Sequence, residues 1–324
     1  MKKILLLLII FSATLSLSAQ DEAIFNQYHL NPILVNPAYA GFERTPRSGG
    51  IGLEDRDFLD VHLLQANYSG QWSGFAGAPK TYMLSYHGPV GRTFGLGVSV
   101  GTETAAQIRR FKGQLNYAFR FSIKDVRFTT GFSTEIQQMT VDNAVTENPL
   151  NALTDDILDE FLNGKRAFDA SLGIMAEIKQ NTLLGISFAN LVRARLDDIS
   201  ENQDESFFSY YTFFARHRFI VAGPDFELVP SMMIRQLRDA PFQIDFNLMA
   251  NFRVGENKGN KLAAGLSYRF GDLGILLGFN VFNIDVYYGY DVSFRRFQKF
   301  NMGSHEITIA YRLTNDKSSS SSQK

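Results

Sequence analysis

The stretch "PFQIDFNLMANF", residues 241–252, alternates between apolar and mostly polar side chains over its whole length. A period of two residues is typical of a β-strand with two different faces. We therefore expect amphipathic strands to be the main element of this protein. One face of this stretch holds Phe242, Ile244, Phe246, Leu248, Ala250 and Phe252, and the other holds Gln243, Asp245, Asn247, Met249 and Asn251.

The same alternation recurs along the chain in about 14 runs. In "FGLGVSVG", residues 94–101, large apolar side chains on one face oppose only Gly and Ser on the other. Many runs approach the roughly 9–11 residues of a tilted membrane strand. The runs lie near residues 61–72, 81–87, 94–101, 111–121, 126–138, 168–178, 182–189, 208–219, 226–238, 241–252, 261–270, 274–282, 284–294 and 305–312.

Two architectures explain the alternation. A soluble sandwich buries its apolar faces against each other, whereas a membrane barrel turns them to lipid and keeps the polar faces inside. The even number of runs favours the barrel, and so do the aromatic residues at strand ends, which suit interfacial girdles. These aromatic residues are Phe111, Phe121, Phe219, Phe252 and Phe270.

The connections between runs also favour the barrel, because they alternate in length. Residues 122–125 and 179–181 are tight turns, whereas residues 139–167 and 190–207 are long and polar. Short turns on one side and long loops on the other are typical of outer-membrane barrels. "LRDA" and "GDL" are short where this scheme expects an outer loop. We predict an all-β fold, a transmembrane antiparallel β-barrel of the outer membrane over residues 59–313, with about 14 strands.

The first 19 residues have the pattern of a secretory signal peptide. Lys2 and Lys3 precede an apolar core, and small residues follow before the expected cleavage near Ala19, with Ser18 as a competing site. The chain has no Cys, which excludes disulfides and a lipoprotein anchor. Its formal charge of −1 is not that of a nucleic-acid-binding protein. We expect an exported protein that integrates into the bacterial outer membrane after cleavage.

Residues 20–58 are predicted to lack strands. Their "QYHLNPILVNPAYAG", residues 27–41, contains two Asn-Pro pairs, which neither a helix interior nor a central strand tolerates. We expect this segment to plug the base of the barrel or to dock to periplasmic partners. Residues 153–164 are predicted to form a short helix on a long loop, either packed there or used for docking. Residues 314–324 form a polar tail, predicted to be disordered.

Catalytic and metal-binding patterns are weak. None of the five His lies at a metal-ligand spacing from another His or a Cys. Asp60 with His62, and Ser85 with His87, share strand faces but have no recognisable nucleophile context. Carboxylate clusters at 155–160 and 201–205 lack the order of a calcium loop. We predict no enzyme activity, no cofactor and no metal.

Three stretches together resemble one family. "QWSGFAGAPKTYMLSYHGPV", residues 71–90, stands between residues 27–41 and "GSHEITIAY", residues 303–311. In this order they resemble the PorP/SprF family, outer-membrane proteins of type IX secretion in the Bacteroidetes. The chain departs from the pattern by continuing past Arg312 with a Ser-rich tail.

The resemblance implies an outer-membrane barrel without known enzymatic activity. Some members belong to the secretion and gliding machinery, and others serve one large surface protein, such as a repeat-rich adhesin. The implied partners are other type IX secretion components, a surface cargo with a C-terminal secretion domain, and outer-membrane lipid. The implied partner-binding positions are Asn31, Pro32, Asn36, Pro37, Trp72, Gly74, Phe75, Gly77, Pro79, Gly303, His305 and Glu306.

The sequence leaves a second function open. A porin or transporter for small solutes has the same alternating strands, and an unobstructed, charged lumen would favour it. The sequence also leaves open whether this chain is a general machinery component or is dedicated to one cargo.

Overall fold

The computed structural model describes residues 25, 27–46, 58–141, 164–192, 194–195, 210–221, 225–236, 242–254, 260–269, 271–294 and 302–314. Within these residues a closed antiparallel β-barrel has 14 strands in its wall. The wall strands are β2 (Phe58–Gly70), β3 (Lys80–Val90), β4 (Phe94–Ala105), β5 (Ile108–Ile123), β6 (Val126–Val141), β7 (Lys165–Ile178), β8 (Thr182–Phe188), β10 (Tyr211–His217), β12 (Phe226–Gln236), β13 (Gln243–Val254), β14 (Asn260–Arg269), β15 (Asp272–Val281), β16 (Ile284–Ser293) and β17 (Ser304–Thr314). Three short strands accompany them: β1 (Arg44–Pro46), β9 (Ala194–Arg195) and β11 (Phe219–Ile220).

Each wall strand pairs with the next one along the chain. The barrel closes where β17 pairs with β2, from His305 opposite Gly70 to Thr314 opposite Val61. The long connection after β8 does not interrupt the wall, because β8 and β10 pair over their whole length. Every predicted run overlaps one of the 14 wall strands, so the predicted fold is confirmed.

The two faces of the wall follow the alternation. On β4, Phe94, Leu96 and Val98 point outward and are 40–56% exposed, while the side chain of Ser99 on the opposite face is 2% exposed. Such an apolar outer surface is stable against lipid hydrocarbon rather than water. Aromatic rings pair along the strand ends, for example Phe226 stacked on Phe252 with ring centroids 4.7 Å apart.

The two ends of the barrel differ in their connections. Turns of two or three residues at 91–93, 124–125, 179–181 and 282–283 lie at the end where β2 begins and β17 ends. The longer connections 71–79 and 294–303 lie at the opposite end, with the short 106–107 and 270–271 as exceptions. Outer-membrane barrels place short turns in the periplasm. We therefore call the first end periplasmic and the second end outer.

Irregular structure precedes the wall. Two 3-10 turns, Pro32–Leu34 and Pro37–Tyr39, each begin with a proline. The range 20–58, predicted to lack strands, also contains β1, which pairs with the start of β2. In the described part of the chain, no helix is long and apolar enough to cross a membrane. The predicted signal peptide, the predicted helix up to Asn163, the tail from residue 315 and both carboxylate clusters lie outside the described residues.

Candidate functional site

The N-terminal segment, residues 25–46, lies inside the barrel. Towards the outer end, the backbone N–H of Gln27 donates to Glu306 Oε2 (2.9 Å), and Arg269 Nη2 donates to the carbonyl of Phe25 (3.2 Å). At the periplasmic end, Arg312 Nη1 lies 3.0 Å from Glu43 Oε1. The described segment therefore extends well beyond the barrel base, through most of the lumen.

The two Asn-Pro pairs fix the segment to the wall. Asn31 Nδ2 donates to Asn67 Oδ1 (2.8 Å) and to Ser85 Oγ (3.0 Å). Asn36 accepts from the N–H of Ala38 (2.9 Å) and donates through Nδ2 to the carbonyl of Ile186 (3.1 Å). Each following proline fixes its own φ, which lowers the entropy lost when the turn is ordered. The Asn-Pro pairs thus combine a preformed turn with an amide that bonds the barrel.

An apolar core forms between the segment and the inner wall. Most inward side chains of the wall are polar, but a patch of them is apolar and receives the apolar residues of the segment. Ile33 is completely buried there. The wall contributes Ala118, Met175, Leu183, Phe214 and Met233, and the segment contributes Tyr28, Ile33, Ala38, Tyr39, Ala40 and Phe42. The lumen therefore contains a packed core rather than only a polar surface.

Wall glycines allow the segment to approach. A Cβ at Gly131 would overlap the backbone of Ala38, and one at Gly173 would overlap the side-chain amide of Asn36. The small face of β4 has the same role, because Gly97 faces the Ile33 side chain. Side chains at these positions would displace the segment.

Ion pairs anchor the segment at the periplasmic end. Arg44 Nη2 lies 2.7 Å from Glu177 Oε2, and Glu43 accepts from the Tyr39 hydroxyl (2.5 Å) as well as from Arg312. Burial alone would raise the pKa of the Glu43 carboxyl, but Arg312 and the Tyr39 hydroxyl outweigh it and hold the pKa at about 2. Glu43 is therefore ionised at neutral pH and binds Arg312 as a charged pair.

One cavity beside the segment, within the described residues, is small. A cavity next to His29, lined also by Gln27 and Asp291, measures about 10 Å³. Burial lowers the pKa of His29 to about 3, so its ring is neutral at physiological pH. The neutral His29 ring therefore occupies part of the lumen and leaves little space beside it.

A second group of residues forms an ordered loop at the outer end. The β2–β3 loop is hydrogen-bonded to the start of β17: Ser73 N–H donates to the carbonyl of Gly303 (2.8 Å), and Met302 N–H donates to that of Ser73 (2.8 Å). Trp72 has φ 49°, a costly conformation for an aromatic residue. Its side chain is 50% exposed and that of Phe75 is 43% exposed. The loop thus presents two aromatic side chains on a fixed backbone.

The predicted partner-binding positions fall into these two groups. Those inside the lumen bond or pack against the wall and have little exposed surface: Asn31, Pro32, Asn36, Pro37 and Glu306. Those at the outer end surround the β2–β3 loop: Trp72, Gly74, Phe75, Gly77, Pro79, Gly303 and His305. The inner-wall glycines were not predicted as site residues, although their place on the small faces of strands was visible.

The residue pairs considered for catalysis make other contacts. Asp60 pairs with Arg120 (3.5 Å), and His62 Nδ1 lies 2.9 Å from the Tyr86 hydroxyl. Ser85 accepts from Asn31, and His87 Nδ1 accepts from the N–H of Gly41 (3.3 Å). Over the described residues, no three His, Cys, Asp or Glu residues are grouped so that they could hold a metal ion.

Residues 60–311 match the family described as type IX secretion system membrane protein PorP/SprF. The chain belongs to the PorP/SprF family. The match begins within β2 and ends within β17, so it covers nearly the whole barrel. This PorP/SprF barrel is an outer-membrane protein of type IX secretion. No curated protein matches the chain.

Solved structures similar to this PorP/SprF barrel include other barrels, at low identity. The Ralstonia pickettii toluene transporter TbuX is 9% identical with a TM-score of 0.48, over 88% of this chain and 93% of that one. The TodX deltaS2S3 mutant monoaromatic hydrocarbon channel is 10% identical with a TM-score of 0.49, over 87% and 93%. A KdgM porin is 8% identical with a TM-score of 0.38, over 78% and 99%.

Proposed function

We propose that this PorP/SprF barrel assists the export or surface attachment of a type IX cargo by binding, and catalyses no reaction. The cargo is a protein with a C-terminal secretion domain, such as a large adhesin, and the other partners are components of the secretion system. The observation that carries the proposal is the family match over nearly the whole barrel, together with a lumen that the N-terminal segment fills.

The filled lumen argues against the porin alternative. A porin needs a continuous aqueous path, whereas here apolar side chains such as Ile33 and Phe42 pack against the inner wall. A filled barrel can still work through its two ends. The outer end offers the β2–β3 loop with Trp72 and Phe75, and aromatic side chains on an ordered backbone are common anchors of protein interfaces.

The two groups of motif positions then have different roles. The lumenal residues hold the N-terminal segment in place, since Asn31 and Asn36 form hydrogen bonds with the wall. While the segment stays in the lumen, these residues are inaccessible to a partner. The outer group forms the partner-binding surface. A partner on the periplasmic side would meet the turns at 91–93 and 124–125 instead.

A gene deletion in the native host tests the proposal. Surface and medium proteins are quantified by mass spectrometry in the parent, the deletion strain and the strain complemented with the intact gene. Loss of one or two large surface proteins, restored on complementation, indicates a dedicated cargo partner. Loss of all type IX cargo indicates a machinery component. An unchanged set of exported proteins would contradict the secretion role and favour the porin.

A further inference from the structure

Two cations lie on the lipid-facing surface at the outer end of neighbouring strands. Lys80 on β3 is opposite Thr104 on β4, and Thr104 is opposite Arg109 on β5. Lys80 is in phase with the outward Tyr82, and Arg109 is in phase with the outward Phe111, so both cations face the membrane. They are separated by one strand, which is a distance of about 10 Å between their backbones.

These two cations differ from the cations on the inner face nearby. Arg110 pairs with Glu103 (3.3 Å), and Lys112 pairs with Glu135 (2.7 Å). Neither Lys80 nor Arg109 has an ion-pair partner among the described residues, and both are exposed. Cations at the level of lipid headgroups attract anionic lipids. The charge of this patch is therefore available to a ligand from the membrane.

The surface below the cations suits the apolar part of a lipid. The next level down has Tyr82 and Phe111, 50% and 49% exposed, as an aromatic girdle. One level further, Gly113 lies between Val100 and Ile136 on the same face. A Cβ at Gly113 would meet only the edge of Phe111, at 3.9 Å. The missing side chain leaves a shallow notch below Arg109, with the Phe111 ring between them.

We propose that this face of β3–β5 binds a phosphorylated glycolipid, the lipid A part of lipopolysaccharide in the outer leaflet. Lys80 and Arg109 bind its phosphates, Thr104 lies between them, and one acyl chain runs along the notch at Gly113. The ligand follows from the position of the patch, because phosphorylated lipid A forms the outer leaflet of the outer membrane. This site adjoins the proposed cargo surface, because Lys80 directly follows the β2–β3 loop. Its residues are different, and its test does not depend on the secretion role.

The test measures lipid binding to the purified, full-length barrel in detergent. The barrel is titrated with bisphosphorylated lipid A, with the same lipid A after its phosphates are removed, and with phosphatidylglycerol, and the complexes are counted by native mass spectrometry. We expect preference for bisphosphorylated lipid A. The double variant Lys80→Gln/Arg109→Gln should bind it roughly 30-fold more weakly. Gly113→Leu, which fills the notch, should weaken the binding of both bisphosphorylated and dephosphorylated lipid A.

The matched control removes the same charge at the opposite end. Arg92 and Lys124 are exposed in periplasmic turns, and Arg92→Gln/Lys124→Gln should bind lipid A as the parent does. Folding of each variant is verified by its heat-dependent shift in gel mobility. Equal binding of dephosphorylated lipid A or of phosphatidylglycerol would overturn the proposal, and so would equal weakening in the control variant.

Discussion

At the scale of single residues, glycines in the inner wall determine how closely the N-terminal segment packs. Gly131 and Gly173 face Ala38 and Asn36 with no room for a side chain. Because the neighbouring atoms include the backbone of Ala38, the contact cannot relax by a change of rotamer alone. Small residues on this face are therefore a requirement of the filled lumen.

Replacing these glycines should displace the segment while leaving the barrel closed. The chain has no Cys, so a single Ala38→Cys reports on accessibility through its reaction with a maleimide reagent. We expect slow labelling in the parent and fast labelling in Gly131→Val or Gly173→Val, with a loss of about 1–3 kcal/mol in segment packing. Gly113→Ala, at an outward glycine with free space, is the control. Slow labelling in all variants would show that the segment does not depend on these contacts.

Because of the ion pair between Glu43 and Arg312, the stability with which the segment is held in the lumen depends on pH. The pKa of the Glu43 carboxyl falls from 4.5 to about 2 in the folded state. The ionised carboxyl therefore stabilises the folded state at pH values above 4.5. This stabilisation is lost as the pH falls from 4.5 towards 2, because the folded carboxyl then takes up a proton. The segment should therefore stay in place at neutral pH and loosen in acid.

Single-channel recordings at neutral pH and at about pH 3 test this expectation. The parent should be closed at neutral pH and open more often in acid. Glu43→Gln removes the charge but keeps a polar side chain, and we expect it to open more often at neutral pH with little further response to acid. If Glu43→Gln follows the pH dependence of the parent, another group controls the segment.

At the scale of elements, the β2–β3 loop is where a fixed backbone and exposed aromatic side chains coincide. Hydrogen bonds to Gly303 and Ser304 hold Trp72 at a positive φ. Strained backbone at an exposed site is often functional, and here the bonds to β17 maintain it. The exposed side chains of Trp72 and Phe75 can therefore be replaced without altering the wall.

The double variant Trp72→Ala/Phe75→Ala should lower the amount of cargo at the cell surface by at least about tenfold, as expected when two aromatic anchors are lost from an interface. Barrel yield in the outer membrane should be unchanged. Surface proteomics of the complemented deletion strain measures both. Phe282→Ala is the matched control, since Phe282 is an exposed aromatic residue in a periplasmic turn. Normal cargo display in the double variant would exclude the loop as a binding surface.

The strands could be predicted from the sequence because alternation is a local property. In residues 241–252 each inward or outward position follows from its neighbours alone, and β13 has the predicted faces. The path of the N-terminal segment could not be predicted in this way. Its two prolines indicate only that it is neither helix nor central strand, whereas its position depends on long-range contacts such as that of Asn36 with Ile186.

The partner-binding positions were predicted from the resemblance to the family rather than from local pattern. The structure brings the loops of Trp72 and Gly303 together. The lumenal role of Glu306 was not visible, because its partner, the backbone of Gln27, lies at the other end of the chain. An inward carboxylate on a strand has many possible partners in a barrel, and only the fold selects one.

At the scale of the whole molecule, the barrel has two apolar surfaces of different kinds. The outer one faces lipid, and the inner one packs against the N-terminal segment to form a core. With no Cys in the chain, packing, hydrogen bonds and ion pairs hold the segment. The segment is therefore an integral part of the fold, but no disulfide would have to break for it to leave the lumen.

Single-channel conductance in planar bilayers tests the central claim that this is a filled barrel that works by binding. The parent is compared with a variant that lacks residues 22–42, after both have shown the same heat-dependent gel mobility and β-sheet circular dichroism. We predict no resolved openings in the parent and stable step openings in the deletion variant. A parent that conducts as the deletion variant does would contradict the account and identify the barrel as an open channel.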